Sequence, residues 1–332
     1  MIKIAVDAMG GDNAPQITVE GAMAAIKEFK DIEIVLYGDE NKIKPYLTNN
    51  ERITIHHTEK YIDMGEKDPI NNIRNNKDTS LVLALQAGKD KEVMGVVSAG
   101  PTQAIVVGAH LIVRKMKCMH RVALAPIVPS LDGRGKILLD VGANVELRAE
   151  HLLELALYAK CLAKICFNED NPKIGLVNIG SEPGKGREVD KETFELFTNT
   201  KDINFVGNIE PKEALTADVD IMVTDGFTGN ILLKSIEGTA KTMGIMLKEE
   251  IKKTLGGKIG YLFMRKNLDK FKKRLDASEV GGAMICGVPV PIVKAHGSSD
   301  GYAFKNAIRQ VRNLAVNDVI NQIEKSLGEK NE

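Results

Sequence analysis

Three short stretches hold side chains whose types and spacing suit the binding of an anion. Lys185 lies between two glycines in Asn178-Ile179-Gly180-Ser181-Glu182-Pro183-Gly184-Lys185-Gly186. Asn230 closes Thr224-Asp225-Gly226-Phe227-Thr228-Gly229-Asn230, where a helix is expected to begin. His296 precedes Gly297-Ser298-Ser299. A lysine supplies charge, amides and hydroxyls supply neutral hydrogen bonds, and glycine lets the backbone approach a ligand closely. Each residue also has an ordinary alternative: Lys185 as a solvated loop lysine, Asn230 as a helix N-cap, His296 as a surface or core histidine.

These stretches belong to a larger set. Asp7-Ala8-Met9-Gly10-Gly11-Asp12-Asn13, Ser98-Ala99-Gly100-Pro101-Thr102 and Asp140-Val141-Gly142-Ala143-Asn144 are also polar and glycine-bearing, and also follow short apolar runs. Six such loops point to strands delivering them to one sheet edge, where helix N-termini present unpaired N–H groups. The apolar, largely β-branched runs are residues 2–6, 32–37, 93–97, 122–127, 137–141, 174–179, 203–206 and 221–224. Helical patterns at 15–29, 79–87, 102–115, 149–165, 188–197, 227–246 and 302–327 separate most of them. This alternation predicts an α/β fold in three α/β/α layers around a mainly parallel sheet, as one domain over residues 1–330 with a central cleft.

Other chemistries find no support. The spacing Gly180 to Gly184 and the glycine after Lys185 break the nucleoside triphosphate pattern G-x-x-x-x-G-K-[ST]. No G-x-G-x-x-G follows the first strand, and neither H-E-x-x-H nor G-x-S-x-G occurs. The six histidines are scattered, so neither a metal nor another cofactor is expected. The four cysteines form no C-x-x-C pair and no disulfide framework. With 45 basic and 45 acidic residues the chain is neutral, which argues against a broadly basic nucleic-acid-binding surface. Absence of a signal peptide and of a long apolar segment predicts a cytoplasmic protein.

Taken together and in order, the motifs resemble the phosphate acyltransferase (PlsX) family. The opening Ile4-Ala5-Val6-Asp7-Ala8-Met9-Gly10-Gly11-Asp12 with Ala14-Pro15, the four loops at 98–102, 140–144, 178–186 and 225–230, and Lys294-Ala295-His296-Gly297-Ser298-Ser299 carry the likeness across the chain. One departure is Pro101, where the family often has Asn. The resemblance implies a fold like that of isocitrate and isopropylmalate dehydrogenases and of phosphotransacetylases, in a homodimer. It implies transfer of a long-chain acyl group from acyl carrier protein to inorganic phosphate, without a cofactor. A membrane glycerol-3-phosphate acyltransferase of the PlsY type would consume the acyl phosphate for phospholipid synthesis. Under this reading Lys185 and Asn230 are the catalytic pair, assisting phosphate and the developing oxyanion. Backbone N–H groups around Gly100, Gly142 and Gly229 would complete the anion site, with Ser98, Thr102, Asn144, Gly184, Asp225, Thr228, His296 and Ser298 as further partners. A phosphotransacetylase acting on short acyl-CoA is the alternative.

A separate feature lies at 248–274, which holds ten basic and three acidic residues, a net +7. Apolar residues recur there at helical spacing, and 256–264 reads as a turn with large apolar residues at its tip. The pattern predicts a basic amphipathic helical hairpin over 245–276 that meets an anionic membrane surface through Leu255, Ile259, Leu262 and Phe263. A dimerisation arm, a docking surface for acidic carrier protein and a solvated charged face remain open for the same pattern.

Overall fold

The computed structural model describes residues 1–275 and 279–328. Its strands are β1 (Ile2–Asp7), β2 (Ile32–Gly38), β3 (Ile53–His57), β4 (Gly95–Ser98), β5 (Ala123–Ala125), β6 (Ile127–Val128), β7 (Lys136–Leu139), β8 (Lys173–Val177), β9 (Asn204–Ile209), β10 (Ile221–Val223), β11 (Gly282–Cys286) and β12 (Ile292–Ala295). The α-helices are α1 (Gln16–Glu28), α2 (Glu40–Ile43), α3 (Pro69–Asn75), α4 (Ser80–Lys89), α5 (Thr102–Gly108), α6 (Ala149–Phe167), α7 (Glu188–Asn199), α8 (Gly226–Lys253), α9 (Leu255–Leu275), α10 (Gly301–Val316) and α11 (Val319–Gly328).

The strands form two sheets rather than the single one expected, in the orders β3-β2-β1-β4-β12-β11-β5 and β6-β7-β10-β8-β9. Both are mainly parallel; β11 runs antiparallel to both its neighbours, and β6 runs antiparallel to β7. The division falls at Pro126, which has no N–H to donate and splits the apolar run 122–127 into β5 and β6. Leu138 and Val141 still donate to the carbonyls of Pro126 and Leu124, at 3.1 Å each, so the sheets meet along this segment.

Helices cover both faces, giving the three layers. Residues of α1, α6, α10 and α11 build one core with Phe197 of α7. Those of α4 and α5, with Ile73 of α3 and Leu232 of α8, build the other. Strands β11 and β12 escaped the sequence reading because Gly282, Ala283 and Lys294 interrupt the apolar run. The helix expected at 302–327 is broken at Asp318, whose positive φ of 49° ends α10 and redirects the chain into α11.

Helices α8 and α9 pack against each other as the expected hairpin, but the reversal is at Thr254, not across 256–264. Thr254 is extended, and its hydroxyl accepts from the Gly257 N–H at 2.9 Å while its carbonyl accepts from Lys258. It thereby caps α9, and the apolar residues placed at a tip become one helical face instead. None of residues 241–274 is buried, so the hairpin stands clear of the body. At its base the Arg274 guanidinium donates to the Leu131 carbonyl. Residue 276, the last of the expected hairpin, and residues 329–330 of the expected domain lie outside the described residues.

Candidate functional site

The six glycine loops divide between two sheet edges. Strands β1, β4 and β12 are parallel neighbours, so their loops emerge together. Asp7 anchors this first cluster from within. Its carboxylate accepts from the Ser80 and Ser98 hydroxyls at 2.6 Å each and from the Met9 N–H at 3.3 Å. Burial pushes the Asp7 carboxyl above the usual range, and these hydrogen bonds only partly oppose that. Ser98 also accepts from the Gly100 N–H at 3.0 Å, while the Asp12 N–H donates to Gly297 at 2.8 Å. Ser98 and the Gly100 N–H, expected to meet an anion, are therefore engaged in holding loops together. Thr102 is the first residue of α5 and half-buried.

His296 and Ser298 stand exposed on the same edge. His296 Nδ1 accepts from the Ser298 N–H at 3.2 Å and lies 2.9 Å from the Ser298 hydroxyl, which fixes the ring. Partial desolvation, then Lys294 and Lys234, hold the imidazole below its usual pKa. Burial lowers the Lys294 ammonium to about 8, with Lys234 contributing in the same direction.

The second cluster follows β7, β10 and β8, again parallel neighbours. Asp140, fully buried, accepts from the N–H groups of Leu124, Ala143 and Asn144 at 3.0, 3.0 and 2.7 Å, and from Gly142 at 3.2 Å. Asn144 donates its side-chain amide to Asp140 at 2.9 Å and to the Val122 carbonyl at 2.7 Å, so both amide protons are placed internally. The Asn144 carbonyl accepts from the Gly226 N–H at 2.8 Å. Helix α8 thus starts directly on this loop. A Cβ added to Gly229 would lie 1.9 Å from the Asp140 carbonyl oxygen, so only glycine permits the approach.

Asp225, not Asn230, caps α8: its carboxylate accepts from the Thr228 N–H at 2.7 Å. The Gly229 N–H is taken by the Asp225 carbonyl at 2.9 Å. Asn230 sits in the second turn, exposed, with its side chain lying over Gly142; a Cβ there would meet Asn230 Cγ at 3.7 Å. The N–H groups of Gly100, Gly142 and Gly229 are all used within the chain. What the second cluster presents outward is side-chain chemistry.

Lys185 completes it. Asn178 donates to the Lys185 carbonyl at 3.1 Å and Asn208 donates to the Glu182 carbonyl at 2.9 Å, clasping the loop at two points. Gly186 has φ +91°, and a Cβ on it would come within 2.5 Å of Asn178 Oδ1, which excludes other residues. The Lys185 ammonium is half-exposed and 3.9 Å from the Glu182 carboxylate, so it projects from a fixed backbone. Space over Gly184 is open.

Two residues unassigned from sequence organise this cluster. Arg187 donates to Asp190 at 2.9 and 3.0 Å and reaches the buried Asp225 carboxylate. Asp190 and Asp225, in that order of importance by hydrogen bonding, raise the guanidinium further above its usual pKa against the opposing effect of burial. Asp140 is the second, and its position at the head of a glycine turn was the available signal.

Helix α8 spans the two clusters. Asn230, Lys234 and Glu237 fall at i, i+4 and i+7, and Lys234 and Glu237 are near enough to His296 and Lys294 to bias their protonation. Three of the four cysteines are poor nucleophiles: burial pushes the thiols of Cys118 and Cys286 up and that of Cys166 to about 11. Among the described residues no group of three or more His, Cys, Asp or Glu could hold a metal ion. The arrangement can bind an anion and stabilise an oxyanion.

A family model described as fatty acid synthesis protein matches residues 2–322. A phosphate acyltransferase of Acholeplasma laidlawii is 49% identical over 329 residues, covering 98% of both chains. One of Staphylococcus aureus (strain MRSA252) is 44% identical over 332 residues, covering all of both. Among solved structures, a phosphotransacetylase from Streptococcus pyogenes aligns with TM-score 0.62 at 15% identity, covering 95% of this chain and 94% of that one. A branched-chain phosphotransacylase from Enterococcus faecalis gives 0.61 at 16%, covering 95% and 99%. These two likenesses bear on the fold, and they agree with the α/β/α architecture expected from the sequence.

Proposed function

The chain belongs to the phosphate acyltransferase family, and from that premise we propose that it moves a long-chain fatty acyl group from the thioester of acyl carrier protein to inorganic phosphate. One observation carries the assignment of residues. Lys185 on its loop and Asn230 in the second turn of α8 both face solvent, and Arg187 and Asp225 tie that loop to the helix start. A phosphate oxygen attacks the thioester carbonyl, and Lys185 and the Asn230 amide stabilise the negative charge that develops. The C–S bond then breaks, the sulfur leaves with the bonding electrons and a proton, and acyl phosphate remains. Thr228 and, from the opposite edge, His296 and Ser298 are further polar partners for the substrate.

The test is incubation of the purified chain with long-chain acyl carrier protein and phosphate, trapping the product as hydroxamate. Acetyl-CoA as donor provides the second arm. Hydroxamate from the carrier-protein thioester alone supports the reading. Product only from acetyl-CoA would replace it with phosphotransacetylase activity.

We also infer peripheral association with an anionic membrane, where a membrane acyltransferase would use the acyl phosphate for phospholipid synthesis. Leu255, Ile259, Leu262 and Phe263 share one face of α9 and are 75, 50, 71 and 85% exposed. Basic residues flank them, giving the net +7 of 248–274. Among the described residues no helix is long and apolar enough to cross a membrane, so surface contact is the form this association would take. A homodimer accompanies this reading, and its mass in solution is measurable by light scattering.

A further inference from the structure

Lys294 is a half-buried lysine in the middle of the larger sheet, an unusual place for a charge. In β12 it pairs with Ser98 of β4 on one side and with Ala283 of β11 on the other. Its neighbours Val293 and Ala295 point into the core shared with α1 and α10. Lys294 therefore faces the opposite side with Ile292, where Leu232, Leu233 and Ile236 of α8 pack.

Its ammonium donates at 3.1 Å to the carbonyl of its own neighbour, Ala295. Among the described residues no carboxylate lies within ion-pair distance of it. The charged groups facing it are Lys234 and Glu237 on α8 and Asp12 in the loop after β1, with Lys294 in turn acting on His296. A half-buried cation without a bonded counter-ion is costly, and a lysine serving only to pack would keep its stem and send its charge outward. Lys234, which acts on this ammonium, lies about one helical turn beyond Asn230 on α8, and the chain runs on from Lys294 through the end of β12 to His296 at the sheet edge.

Resting on the acyl-transfer reading, we propose that Lys294 is the acid that protonates the departing thiolate. Hydrogenphosphate forms the new C–O bond, the C–S bond breaks, and sulfur takes its proton from the Lys294 ammonium. The neutral amine then recovers a proton from the one hydrogenphosphate has lost, so no other reactant is needed. The match is favourable: an ammonium held at about 8 faces a thiol whose ordinary pKa is about 8.5.

The test varies the leaving group. The wild type, Lys294→Met and Lys294→Arg are assayed with phosphate and one acyl chain, carried either on acyl carrier protein or on an acidic aryl thiol. Lys294→Met is expected to lose roughly 100-fold or more in kcat with the carrier-protein thioester, within the range for general acid catalysis. With the aryl thioester, which needs no acid, it should lose less than about 5-fold relative to that range. Lys294→Arg keeps the charge but cannot release its proton, so it should not restore the carrier-protein rate. The wild-type rate should fall as pH rises through about 8, and that limb should be missing from Lys294→Arg. Equal losses with both donors, or a raised phosphate KM with kcat unchanged, would overturn the proposal. If Lys294→Met does not fold by circular dichroism, the pH profile and donor ratio of Lys294→Arg decide. A wild type that makes no acyl phosphate from either donor refutes the underlying activity instead.

Discussion

Arg187 and Asp225 form an ion pair that ties the loop carrying Lys185 to the first turn of the helix carrying Asn230. Asp225 is 3% exposed and also caps α8 through the Thr228 N–H. One carboxylate thus sets the helix start and, through Arg187, the neighbouring loop. Replacing Arg187 by Met leaves Asp190 and Asp225 without their cation. Hydrogen bonds to charged groups contribute about 1.5–3 kcal/mol, and solvent screening at the 53% exposure of Arg187 reduces the expected loss to about 1–2 kcal/mol. Urea unfolding measures it. Turnover should fall about tenfold or more as the Lys185 loop loosens, with Arg187→Lys recovering only part because it lacks the two-pronged fork. Unchanged stability and turnover together would show that the pair neither stabilises the fold nor positions Lys185.

Lys185→Ala and Asn230→Ala test the catalytic pair directly. Loss of one oxyanion donor removes about 2.7–4 kcal/mol of transition-state stabilisation, a fall of about 100-fold or more in turnover. Both side chains are exposed and Lys185 has only a 3.9 Å contact to Glu182, so the melting temperature should hardly move. A variant with near-normal turnover loses the role given to that residue.

Gly229→Ala and Gly184→Ala should behave oppositely. At 229 the new methyl would lie 1.9 Å from the Asp140 carbonyl oxygen, and backbone must move. Overpacking of this kind destabilises by about 1–3 kcal/mol, and here it also shifts Asn230 off Gly142. At 184 nothing lies within 4 Å, so stability should stay within about 0.5 kcal/mol. If Gly184→Ala raises the phosphate KM while stability holds, the open space over that glycine is where substrate enters. A KM left unchanged removes Gly184 from the substrate contacts.

The α/β class and the loops bearing the chemistry were legible because β-branched runs and glycine turns are local signals. What the loops do with their polar groups was not. The N–H groups of Gly100, Gly142 and Gly229 are consumed by Ser98, Asp140 and Asp225, pairings that depend on which atom each group reaches in three dimensions. Asn144 looks like a ligand donor in sequence and is a bracket between β5 and β7 in the fold. Arg187 was hidden because its partner is 38 residues away, and Lys294 because a lysine inside a strand breaks the apolar pattern rather than announcing a site. The hairpin turn was misplaced for a local reason: Gly256 and Gly257 suggest a turn, yet the cap from Thr254 carries them into α9.

Asp7 gives a pH prediction with a definite sign. An unfolded aspartate titrates near about 3.9, and burial raises Asp7 above that in the folded chain. Between the two values the folded state binds more protons, so the stability contributed by Asp7 is full below about 3.9 and declines as pH rises through its folded value. Asp7→Asn lacks this titration. Relative to wild type, its urea midpoint should therefore improve between about pH 4 and pH 7. A shift in the other direction would mean that the bonds from Ser80, Ser98 and Met9 outweigh desolvation.

The α8–α9 hairpin predicts separable membrane and catalytic functions. No residue from 241 to 274 is buried, so Leu262→Glu should leave melting and the soluble acyl phosphate assay unchanged. Burying one leucine contributes about 1.5–3 kcal/mol, and a glutamate adds repulsion from anionic lipid. Co-sedimentation with anionic vesicles should weaken about tenfold or more, since 1.4 kcal/mol corresponds to a factor of ten. Salt at about 0.5 M should weaken the wild type as well, because screening acts on the basic flank while leaving the apolar face intact. If Leu262→Glu binds vesicles as the wild type does but runs at half the mass in solution, the same face is a dimer contact. In that case the basic flank must find another partner, and carrier protein, being acidic, is the one to titrate against it next.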